Sequence, residues 1–62
     1  MKIKVEQAYA GHDSHYHLLT LPDGSRECVP GFRWTRKTAS VALDLLEQAH
    51  GIDRARVRFD HQ

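Results

Sequence analysis

The chain predicts a two-layer α+β domain, a three- to four-stranded, mainly antiparallel sheet with one helix packed on one face, in the order β-β-β-α-β. Three observations predict it. Lys2 to Tyr9 alternates with period two, Ile3, Val5 and Tyr9 on one side and Lys2, Lys4 and Glu6 on the other. Leu21-Pro22-Asp23-Gly24-Ser25 is a turn set between two strand-like runs. From Thr35 to Gly51 the apolar residues recur at helical spacing, between a capping residue and a glycine.

The first strand is the alternating run Lys2–Tyr9, and Ala10-Gly11-His12-Asp13-Ser14 turns the chain. His15–Leu21 is the second strand, rich in aromatic and aliphatic residues. In the next turn, Pro22 presets φ, Asp23 suits the second central position and Gly24 takes a positive φ at no steric cost, so a type I turn with a bulge joins strands two and three. The third strand runs from Arg26 to Val29. Pro30-Gly31 interrupts it because proline lacks the N–H that a central ladder needs. Phe32-Arg33-Trp34 either resumes it as an edge or leads into the helix.

Thr35 is the expected N-cap, its hydroxyl accepting from an orphan N–H. On a helical wheel Ala39, Val41, Ala42, Leu43, Leu45, Leu46 and Ala49 fill one arc, and Ser40, Asp44, Glu47 and Gln48 the other. Gly51 ends the helix in the left-handed conformation, and Ile52 folds back towards Leu46. A last strand, Ala55–Phe59, is expected to bury Ala55, Val57 and Phe59 and to turn Arg54, Arg56 and Arg58 to water. Its place beside strand one or strand three is not readable.

Sixty-two residues make a single domain, 1–62. A chain of this size buries only about 60% of its unfolded surface, which favours a partner, a metal or a disulfide as support. Its one cysteine, Cys28, allows no internal disulfide and fits a reducing compartment, and on a half-buried strand it reads as a small core residue. Met1–Val5 has no continuous apolar run and no segment reaches the roughly 20 apolar residues of a membrane span. A cytoplasmic location is expected. Nine Lys/Arg against eight Asp/Glu give a net charge of +1, too balanced to imply a nucleic-acid partner, so the distribution of charge carries the argument.

Two basic segments stand out. Alternate residues on a strand lie roughly 6.6 Å apart, close to the spacing of successive phosphates, so Arg54, Arg56 and Arg58 form a stripe able to hold a polyanion. The bland reading is a solvated face that discourages edge-to-edge aggregation. Arg33, Trp34, Arg36 and Lys37 interleave an aromatic ring with cations at a helix start, where bases stack and backbone N–H groups favour anions. The bland reading makes Trp34 and Phe32 core anchors.

His12, Asp13, His15 and His17 form a short cluster. Without cysteines or ligand spacing it is an ordinary exposed strand more readily than a metal site. No carboxylate pair and no phosphate-cradling glycine loop is present, and neither an enzyme nor a cofactor is expected.

The run Leu21-Pro22-Asp23-Gly24-Ser25-Arg26, followed by Gly31-Phe32-Arg33-Trp34-Thr35-Arg36-Lys37 and an alanine- and leucine-rich helix, is similar to the small three-stranded DNA-binding domains at the N-terminus of phage-type tyrosine integrases. The likeness covers roughly half the chain, and the extra C-terminal strand departs from it. It implies a sheet that lays its strands in the major groove.

The functional expectation is a non-enzymatic nucleic-acid-binding module using Arg26, Arg33, Trp34, Arg36, Lys37, Arg54, Arg56 and Arg58. The alternative is a protein-binding accessory or inhibitor of phage or mobile-element type, acting through a sheet edge or through its basic face on an acidic partner. A homodimer burying Trp34, or Leu19 and Leu21, is a third possibility.

Overall fold

The computed structural model describes residues 1–62. Its elements are β1 (Lys2–Tyr9), β2 (His15–Thr20), β3 (Arg26–Pro30), α1 (Arg36–His50), a single 3-10 turn (Arg54–Arg56) and β4 (Arg58–His61). The sheet order is β3-β2-β1-β4. β1, β2 and β3 form an antiparallel meander, and the chain then crosses by α1 to lay β4 parallel to β1. The predicted α+β order is the observed one, and the open question about the last strand is settled: it lies beside β1.

The turns follow their residue chemistry. Gly24 has φ 91°, its N–H donates to the Leu21 carbonyl at 3.0 Å, and Asp23 Oδ1 accepts from the Ser25 N–H at 2.9 Å. Phe32-Arg33-Trp34 leads into the helix and is not part of β3. Thr35 caps α1 as expected. Its Oγ1 accepts from the Thr38 N–H at 3.2 Å, and Thr38 Oγ1 accepts in return from the Thr35 N–H at 3.3 Å, a reciprocal capping box. At the other end Gly51 sits at φ 66°, where its N–H reaches the Glu47 carbonyl at 3.0 Å, while the Ile52 N–H donates to Leu46 at 3.2 Å.

One face of the sheet meets α1. The core is Ile3, Val5, Leu19, Leu21 and Val29 from the strands and their flank, closed by Ala42 and Leu46 of α1. Trp34, Leu45, Ile52, Val57 and Phe59 pack around it, half-buried. The helix contributes a narrower stripe than the wheel suggests: Val41 and Ala49 are exposed, because one helix on a four-stranded sheet touches it along little more than one line of side chains. Leu19 and Leu21 belong to the core, so neither is available to a dimer interface.

The largest departure is the C-terminal arm. Ala55–Phe59 is not one strand. Arg54–Arg56 is a 3-10 turn, Ala55 is exposed, and β4 begins only at Arg58. The cause is local. Asp53 Oδ1 accepts from the Ala55 N–H at 3.1 Å, its carbonyl accepts from the Arg56 N–H at 2.9 Å, and such short-range bonds offer the backbone an alternative to a ladder. Arg54 folds back onto α1, with Nη2 2.6 Å from Asp44 Oδ1 and Nε 3.3 Å from Glu47 Oε2. The Met1 ammonium then bonds the Arg56 carbonyl at 2.6 Å, and Met1 in turn accepts from the Arg58 N–H at 2.8 Å, which starts the parallel pairing.

Candidate nucleic-acid interface

Because side chains alternate across a strand, burying Ile3 and Val5 under α1 turns Lys2, Lys4, Glu6 and Ala8 to the opposite face. The register carries this across the sheet. Arg58 stands beside Lys2, and Asp60, Lys4, Thr20 and Arg26 form one rung across all four strands. Glu6, Leu18 and Cys28 make the next rung, and Ala8, Tyr16 and Pro30 the one after. No helix lies over this face.

The uncovered face is therefore divided along the strand direction. One end carries Lys2, Lys4, Arg26 and Arg58, all exposed, against Asp60 in the same rung and Glu6 in the next. The other end carries Tyr16, Leu18, Cys28 and Pro30. Neighbouring strands lie about 4.8 Å apart, so the cations of β4, β1 and β3 span roughly 14 Å. Cys28 is exposed on this face and not the core residue its strand position suggests, because the register turns its neighbours Glu27 and Val29 to the helix side and gives the core position to Val29.

The structure divides the residues singled out in the sequence into separate groups. Arg26 and Arg58 belong to the uncovered sheet face. Arg33, Arg36 and Lys37 are exposed at the start of α1, in the other layer and at the far end of β3 from Arg26, roughly 13 Å along the strand. Arg54 is held by Asp44 and Glu47, which raise its already high pKa further, Asp44 contributing most. Arg56 lies in the 3-10 turn. The three arginines of the C-terminal arm therefore form no stripe.

Trp34 is half-buried, its ring edge-on to His17 at 5.2 Å, Phe59 at 4.9 Å and His61 at 5.0 Å between centroids. This is the packing expected of an anchor, whereas Phe32 is 60% exposed. His15 and His17 do share a strand face, the one under the helix layer, while His12 lies in the preceding turn. No three His, Cys, Asp or Glu side chains stand close enough together to hold a metal ion.

Lys2, Lys4 and Tyr16 are the members of the sheet face that charge clustering along the sequence misses. Their signal is the alternation opposite Ile3 and Val5. It becomes legible as a patch only once the strand order is known, because the cations come from three strands far apart in the chain. No protein-family model, curated protein or solved structure matches the chain, so the likeness of its turn and helix start to integrase DNA-binding domains brings no function with it.

Proposed function

We propose that the domain is a nucleic-acid-binding module whose interface is the uncovered face of the sheet. The observation that carries this reading is the placement of Lys2, Lys4, Arg26 and Arg58 in two adjoining rungs at one end of this face, with Tyr16 at the other. The cations hold successive phosphates of one strand, and Tyr16 offers a ring on which a base stacks. Arg33, Arg36 and Lys37 lie in the other layer and are not part of this contact.

The test is a polarisation titration of a labelled single strand of about ten nucleotides, and of a duplex, at low salt. Binding on the order of 10–100 μM is expected for so few phosphate contacts. In parallel, alkylation of Cys28 reports the same face, and saturating oligonucleotide should slow it. No binding to any strand or duplex, or an unchanged alkylation rate at saturation, rejects the proposal. A second reading rests on the free edges of β3 and β4, which end the sheet on either side: an acidic protein partner adding a strand there. A stoichiometric protein that copurifies with the chain and shields Cys28, with no oligonucleotide binding, would favour it.

A further inference from the structure

On the helix side of the sheet, beyond the N-terminal end of α1, lies an open cleft of about 500 Å³. Its apolar walls are Val5, Phe32 and Trp34, and its polar groups include His17, Arg33 and His61. The amides of Gln7 and Gln62 also border it, Gln7 donating one N–H to the Phe32 carbonyl at 3.0 Å and Gln62 donating to Asp60 at 3.1 Å. No Asp or Glu side chain lines the cleft, although the chain has eight. Arg33 is the one side chain there with a permanent charge.

The decisive group is His17. It is 4% exposed, the only polar side chain in the buried interior, and its Nε2 has no hydrogen-bond partner. An unpaired buried ring nitrogen is costly, and a polar group kept so in a wall is satisfied by whatever enters. Apolar walls with a few convergent donors are the composition of a small-molecule site, and the volume falls in the ordinary range for one.

We infer that this cleft binds a small organic anion, a planar or apolar body carrying a carboxylate or phosphate. The body lies against Trp34 and Phe32, the charged oxygens meet Arg33, and His17 Nε2–H donates to the ligand. The site is in the other layer from the sheet face assigned to nucleic acid and does not depend on that assignment.

Trp34 is the only tryptophan and lines the cleft, so its fluorescence is a direct reporter. The full chain is titrated with benzoate, phenyl phosphate, inorganic phosphate and, as the neutral control, benzyl alcohol. A saturable change with benzoate or phenyl phosphate at a Kd of about 1 mM or tighter is expected, the size of ligand setting that scale. The preferred of these two identifies carboxylate or phosphate as the charged group. Benzyl alcohol and inorganic phosphate should bind at least about 10-fold more weakly, each lacking one half of the recognition. Arg33→Gln, on an exposed side chain that the fold does not use, should weaken binding about 5- to 10-fold. His17→Gln should weaken it similarly, with circular dichroism confirming the fold. The inference is overturned if neither aromatic anion gives a saturable response, if benzyl alcohol binds as well as they do, or if Arg33→Gln leaves the affinity unchanged.

Discussion

The salt dependence of oligonucleotide binding tests the sheet face most directly. Each phosphate neutralised on a single strand contributes about −0.7 to the slope of log K against log salt, so four cations on the uncovered face predict a slope of about −2.8. Raising salt from about 50 to 200 mM should then weaken binding about 50-fold. Lys4 and Arg26 share one rung, are exposed and make no ion pair. The double variant Lys4→Ala/Arg26→Ala should therefore halve the slope to about −1.4, and the same salt step should cost it only about 7-fold. Arg54→Ala is the control. Its guanidinium is already committed to Asp44 and Glu47, so removing it should leave the slope as it was. Polarisation titrations at four salt concentrations measure all three slopes. If Arg54→Ala flattens the slope while the double variant does not, the phosphates lie along the C-terminal arm and the sheet-face assignment is wrong.

Three further perturbations probe the fold that presents this face. Leu46→Ala removes a fully buried side chain from a seven-residue core and should cost about 3–5 kcal/mol, against a total of about 3–9 kcal/mol for a chain of this length, lowering the thermal midpoint by more than about 10 °C by circular dichroism. Gly51→Ala meets no neighbouring atom within 4 Å but keeps a left-handed φ of 66°, so its cost is backbone strain alone, about 1–2 kcal/mol in urea unfolding. Asp23 has its pKa lowered from 3.8, first by the Ser25 N–H and then by the Ser25 hydroxyl. A folded pKa below the unfolded one gives stability that is present above pH 3.8 and is lost as pH falls through the lower folded value. Asp23→Asn should lower the urea midpoint slightly at neutral pH and flatten its fall towards acid, the two chains converging once Asp23 is protonated, as read by urea midpoints from pH 7 to 2.

The architecture was legible because each element carries its own local chemistry. Period-two alternation marks β1, Pro22-Asp23-Gly24 marks the hairpin, and Thr35 with Gly51 brackets α1. The C-terminal arm was misread because Arg54-Ala55-Arg56-Val57-Arg58 satisfies the strand pattern on paper. What overrides the pattern is Asp53 capping its own backbone, together with Arg54 reaching back to two carboxylates a helix turn apart. Neither bond has a periodic signature. Cys28 and the sheet face were hidden for another reason: exposure on a strand depends on which face the helix takes, and that is settled by Ile3, Val5, Leu19 and Val29 acting together. The cleft residue His17 was noted for its histidine neighbours, but its significance lies in burial without a partner, which no spacing reveals.

The parallel pairing of β4 with β1 joins Lys2 to Arg58, nearly the whole length of the chain apart. Within this domain the first strand in the chain is thus one of the last to be completed. Until β4 arrives, β1 presents a raw backbone edge, and the rung that brings Asp60 alongside Lys4 is missing its acidic member. A shortened chain ending after the helix would keep the hairpins yet leave that edge of β1 unpaired, prone to recruit a strand from another molecule in place of its own.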